Sequence, residues 1–175
     1  MAPGIDHLVI NLAVGTVMVA ATYATAPELT APCFVGAVAG LLITPDMDLD
    51  GSSITENILR SVPVVGFLWQ WAWYGYAMLF RHRGRSHSVF FGTASRVGWS
   101  CLVYAVVVLF VSGVRCMSTD GDSNVFVTGV VDSMKWFLTY VTQPVLLLAW
   151  FVQDATHYAA DSSVFRAPGN VSVEK

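Results

Sequence analysis

The chain has 175 residues, of which 55% are hydrophobic and only 12% charged, with a mean hydropathy of +0.59. A soluble domain carries about 25% charged residues, so a soluble enzyme or a disordered segment is disfavoured. Nine Lys and Arg against twelve Asp and Glu give a net charge of −3, which offers no basic face to a nucleic acid.

The apolar residues fall into long runs: Leu8–Ala26, Thr30–Thr44, Val62–Phe80, Val89–Ser112 and Val125–Val152. A helix needs about 20 apolar residues to cross a bilayer core. Three of the runs reach that length comfortably and Thr30–Thr44 is short, but five apolar runs together leave too little polar sequence to wrap a soluble core. The sequence therefore predicts an all-α integral membrane helical bundle, with about four transmembrane helices plus an aromatic-rich interfacial or re-entrant helix. One domain over 1–165 and a flexible tail over 166–175 are expected. No Lys or Arg precedes Arg60, and Pro27 follows the cleavage-like Ala24-Thr25-Ala26, so the first run is expected to be retained rather than removed as a signal peptide. Cys33, Cys101 and Cys116 form no CxxC pair and read as small hydrophobes.

In chain order, a first helix is expected from Leu8 to about Tyr23, and Pro27 and Pro32 bracket a turn. A second helix from about Pro32 to Ile43 carries Gly36, Ala37, Ala39 and Gly40, small residues that permit close helix packing in lipid. It should stop before Pro45, whose predecessor resists helical angles. The acidic loop Asp46-Met47-Asp48-Leu49-Asp50-Gly51 follows. It begins like a calcium loop, but its twelfth position is Asn57 where that template needs Glu. Val62–Phe80 holds Trp69, Trp71, Trp73, Tyr74 and Tyr76, the residue types that gather at a membrane boundary. Residues 81–88, Arg-His-Arg-Gly-Arg-Ser-His-Ser, form a polar loop. Val89–Ser112 is a span containing Arg96, and Met117–Asn124 a loop. Val125–Val152 is a long helix with an Asp132–Lys135 pair one turn apart and a kink at Pro144. It continues into Asp154-Ala155-Thr156-His157-Tyr158-Ala159-Ala160-Asp161.

All four histidines, His7, His82, His87 and His157, stand at the ends of apolar runs, and acidic residues gather at three of the same places. Asp154, His157 and Asp161 fall at i, i+3 and i+7, one stripe of a helix. Imidazole with carboxylate is the donor set of a divalent transition metal, typically zinc, and the number of donors allows one or two ions. Topology supplies a second argument. If Val62–Phe80 does not cross fully, all these motifs reach one face. Arg60, Arg81, Arg83, Arg85, Arg166 and Lys175 share that face against Arg115 on the other, so the positive-inside rule makes it cytoplasmic.

His7, Pro45-Asp46-Met47-Asp48, His82-Arg83-Gly84-Arg85-Ser86-His87-Ser88 and His157-xxx-Asp161 resemble the bacterial inner-membrane metal-dependent hydrolase family (YdjM-like). They are closer still to related metal-binding membrane proteins of unknown function that combine PDxDxD, HRGxSHS and DxxHxxxD. The resemblance covers about residues 5 to 161, with HRGxSHS its most specific motif. It implies His7, Asp46, His82, His87, His157 and Asp161 as metal ligands, with Asp48 a further candidate and Asp154 supporting the ligands. Zinc is the implied ion, with manganese or magnesium as alternatives. Many YdjM-like members carry His after the second Asp of their motif, where this chain has Leu49-Asp50, so its ligand set differs there.

Two readings follow. In the first, a membrane-bound hydrolase uses the ion to activate water and polarise a phosphoryl or acyl oxygen. Asp48 or Asp50 acts as general base, Arg83 neutralises a phosphate, and Ser86 bonds a ligand or the substrate, or caps the next helix. The family is similar in motif order to zinc-dependent phospholipase C-like helical enzymes, which implies a phosphoester substrate, and a site at the inner membrane surface suits a lipid or lipid-linked one, with the lipid bilayer as partner. In the second, the ion ties helix ends together without catalysis, in the closed coordination of a structural site. A transporter needs polar groups at mid-membrane, and only Arg96, Asp132 and Lys135 qualify.

Overall fold

In a computed structural model of the chain, residues 4–44, 58, 61–80 and 88–161 are described, with the side chains of the first and last helices described from Leu8 onward and through Ala160. Six helices account for almost all of them: α1 (Gly4–Thr25), α2 (Thr30–Leu42), α3 (Pro63–Leu79), α4 (Val89–Ser118), α5 (Ser123–Val141) and α6 (Pro144–Asp161). A 3-10 turn at Pro27–Leu29 joins α1 to α2. No strand occurs among the described residues.

The prolines act at helix starts. Pro32 lies in the first turn of α2, where backbone N–H groups lack intrahelical acceptors, so its missing donor breaks no bond. Pro63 and Pro144 each open a helix. The single helix expected over Val125–Val152 is in fact two, α5 and α6, bent by 62° across the break before Pro144. Pro144 has no N–H to continue α5, so the bend is sharper than a kink. The Asp132–Lys135 pair is also corrected: both side chains stay exposed on α5, and no ion pair joins these two described residues. The loop expected over Met117–Asn124 is shorter than foreseen, because α4 runs on to Ser118. The chain reverses over Thr119–Asp122, where Asp120 and Gly121 take left-handed angles (φ 55° and 80°). Asp122 then caps α5 by accepting from the Asn124 N–H at 2.9 Å.

α1, α2 and α6 form the most closely packed part of the molecule. Glycines allow it. A β-carbon at Gly36 would run into the Leu146 carbonyl, and one at Gly40 would stand 2.6 Å from Gln153 Cβ. One at Gly15 would stand 2.6 Å from Gln153 Nε2. The small-residue stripe of α2 therefore faces α6, as expected for helices that approach closely in lipid. The α4–α5 hairpin joins this core through α6. Tyr104 stacks on Phe137 with centroids 4.0 Å apart, and its hydroxyl donates to the Ser133 carbonyl.

α3 lies against the first part of α4. Phe80 meets Phe91, Tyr76 Oη is 2.9 Å from Ser95 Oγ, and Trp99 Nε1 donates to the Ala72 carbonyl at 2.8 Å. These pairs step in opposite directions along the two helices, so α3 runs antiparallel to α4. Trp73 and Tyr76 are the buried centre of this contact, which also takes in Ile43 at the end of α2. Residues 8–25 of α1 and all of α4 are long and apolar enough to cross a membrane, and the bent α5–α6 pair passes the same test when taken as one span. Large apolar side chains cover the outside, Leu12, Val17, Phe90, Leu102, Phe110 and Leu148 among them.

Candidate functional site

Several polar side chains are enclosed in the interior. Asn11 on α1, Thr93 and Arg96 on α4, and Gln153, Asp154 and His157 on α6 are all buried. They sit toward one end of the bundle, where the start of α1, the start of α4 and the end of α6 meet.

Asp154 is the hub. Arg96 Nη2 lies 2.7 Å from its Oδ2, with both side chains 1% exposed, and Thr93 Oγ1 donates to the same oxygen at 2.5 Å. Thr93 comes one turn before Arg96, so α4 presents a hydroxyl and a guanidinium on one stripe. The other carboxylate oxygen, Asp154 Oδ1, is buried and has no hydrogen-bond partner among the described residues. Such an atom is costly unless a donor or a cation meets it. His157 lies one turn further along α6 and is 2% exposed. Gln153 Nε2 donates to the Asn11 carbonyl at 3.0 Å, tying α6 to α1.

Of the residues singled out from sequence, His157 and Asp154 are seen with their side chains, together at this polar end. His7 is placed in the first turns of α1 and Asp161 at the last residue of α6. Asp46, Asp48, Asp50, His82, Arg83, Ser86 and His87 lie outside the described residues. Among the described residues no group of three or more His, Cys, Asp or Glu comes together. The buried imidazole of His157 and the open Oδ1 of Asp154 are donors of the kind a divalent ion takes, so the described part of the site fits such an ion without completing its ligand set.

A family model described as an uncharacterized metal-binding protein (DUF2227) matches residues 2–167. The chain belongs to this family. No curated protein and no solved structure matches it. The match runs from the start of α1 past the end of α6 and so covers every described helix.

Four residues of this polar end are not marked as site residues by the sequence reading: Asn11, Thr93, Arg96 and Gln153. Arg96 carries a readable signal, because a lone cation inside an apolar run needs a partner. Asp154, the carboxylate just past another apolar run, is the partner available. Thr93 and Gln153 carry no such signal, since single Thr and Gln residues are ordinary in helices.

Proposed function

We propose that the chain is a membrane-bound, metal-dependent hydrolase whose divalent ion is held at the cytoplasmic face by His and Asp side chains. The observation that carries the metal part is the buried His157 beside Asp154, whose Oδ1 has no partner among the described residues, in a chain of a metal-binding family. His7, Asp46, His82, His87, His157 and Asp161 are the proposed ligands, with Asp48 in reserve, and zinc is the proposed ion, with manganese or magnesium as alternatives. When bound, the ion supplies Lewis acidity to a phosphoryl or acyl oxygen. Asp154 is fixed through Oδ2 by Arg96 and Thr93, which leaves Oδ1 to accept from a ligand or to face the ion. Asp48 or Asp50 is the proposed proton acceptor, Arg83 the counter-charge for a phosphate, and Ser86 a hydrogen-bonding group. The motif resemblance to the YdjM-like hydrolases supports hydrolysis, and the apolar exterior supports a lipid or phosphoester substrate met in the bilayer.

A second reading has its own support. Arg96, Asp154 and Gln153 already join α1, α4 and α6, and an ion added there extends a structural tie. Metal analysis of detergent-purified protein, followed by a phosphodiester and lipid panel with and without chelator, separates the two. Stoichiometric metal with chelator-sensitive turnover supports the hydrolase. Stoichiometric metal without turnover on any panel member favours the structural tie. Wild-type protein without metal refutes both.

A further inference from the structure

A groove of about 440 Å³ runs between α1 and α2. Its walls include Leu12, Thr16, Val19 and Ala20 on α1 and Phe34 and Val38 on α2, and no charged residue among those described lines it. Its volume lies within the roughly 300–1,000 Å³ of small-molecule sites. Three features say what fits it.

The first is length. The groove follows α1 from Asn11 to Tyr23. At about 1.5 Å per residue this is roughly 18 Å. Half of a bilayer core of about 30 Å is roughly 15 Å, the depth of one leaflet. The second is position. α1 is long and apolar enough to cross a membrane, and Leu12, Tyr23 and Phe34 of the groove are exposed, so it opens on the outer face of the helices, toward lipid where α1 spans. The third is direction. Asn11 and Gln153, the amide side chains among the described residues that line the groove, lie at the same end. Asn11 stands one turn after His7 in α1, and Gln153 one turn before His157 in α6. The groove thus ends one helical turn from two of the proposed metal ligands.

We propose that this groove seats one acyl chain of a membrane lipid, with the lipid's polar head at the end of α1 and α6 that carries His7 and His157. The inference rests on the metal-dependent reading above and names its substrate class: an acyl lipid with a phosphoester head, taken from the leaflet next to the site. The groove is assigned one chain, and the second chain of a diacyl lipid stays in the bilayer. The occupant slides in laterally, so the chain need not leave the apolar phase.

The full-length protein, reconstituted in phosphatidylethanolamine–phosphatidylglycerol vesicles doped with a phosphatidylglycerol carrying a diazirine on one acyl chain, tests this. After photolysis, label should concentrate on Val19, Ala20, Phe34 and Val38, several-fold above Val107 and Phe110, which face outward on α4. Thr16→Phe and Ala20→Phe fill the groove from exposed positions and should lower that label several-fold with metal per chain unchanged. Equal label on groove and α4 positions overturns the proposal, as does label that both substitutions leave intact. Crosslinks between two copies of the chain through these positions also overturn it. Metal content, read on the same samples, keeps the two ideas apart. Preferential label in metal-free wild type supports the acyl seat and counts against the metal reading. Metal without preferential label does the reverse.

Discussion

Arg96 and Asp154 make the sharpest test at the level of single residues. Both are almost fully buried and face each other at 2.7 Å. Removing one partner of such a pair leaves a desolvated charge and costs about 3–5 kcal/mol, whereas replacing both with apolar groups is often neutral or better. Arg96→Met should therefore lower the unfolding midpoint in detergent steeply, and Arg96→Met with Asp154→Leu should recover most of the loss. If the double variant is as unstable as the sum of the singles, the pair is not the source of the effect. Thr93→Val removes a neutral donor to the same oxygen, and a smaller loss of about 1–3 kcal/mol is expected. For the metal, His157→Ala should abolish stoichiometric ion by elemental analysis, while replacement of the exposed Asp132, on α5, should leave it unchanged. Position in the chain makes His157 and Asp154 readable from sequence, because polar residues are scarce and these fall just past an apolar run. Which oxygen of Asp154 is used, and by whom, depends on how α4 meets α6, and no local pattern encodes that.

At the level of helices, glycine separates packing from propensity. Gly36 and Gly40 face α6 with no room for a β-carbon, and at Gly36 the obstacle is backbone. Gly36→Ala is expected to destabilise the protein and loosen α2 from α6, seen as a lower unfolding midpoint and faster proteolysis. Gly98 and Gly113 lie in α4, where an added methyl would meet nothing within 4 Å. Ala there removes only the helix cost of glycine, so each change should be neutral or stabilise by roughly 0.5–1 kcal/mol. The same thermal assay reads both classes, and equal effects at Gly36 and Gly98 would contradict the packing argument. The helices themselves are legible in the sequence because apolar runs, prolines and loop residues mark them. The small stripe of α2 identifies its packing face without naming the partner. Two boundaries differ from the sequence expectation for a physical reason. Ser118 begins a polar stretch yet stays helical, since a turn needs only Thr119–Asp122 to reverse the chain. The break at Pro144 makes two helices, because an apolar run looks continuous whether or not its backbone bonds are.

For the whole molecule, a small polar centre is enclosed by helices that expose many large apolar side chains. Arg96, Asp154, Asn11 and Gln153 lie inside, while many Phe, Leu and Val side chains are exposed. This arrangement suits lipid, where groups without partners are the expensive ones. The expectation that the acidic loop and the HRGRSHS loop share one membrane side yields a direct test. With Cys33, Cys101 and Cys116 replaced, single cysteines at Asp50 and Arg83 should react with an impermeant maleimide from the same side of sealed vesicles. Labelling from opposite sides would separate the two loops and dismantle a shared site. The buried pair also bears on how the protein is made. Arg96 is synthesised two helices before Asp154, so if α4 crosses a membrane, as its length and apolar composition allow, it enters the bilayer with its guanidinium unmatched. Arg96 lies near the start of α4, where its long side chain can reach up to the head groups and keep the cost of insertion low. Arrival of α6 then draws that charge inward. A nascent chain stopped before α6 would then keep an unmatched cation at the lipid boundary, a chemical difference between an unfinished copy and a finished one.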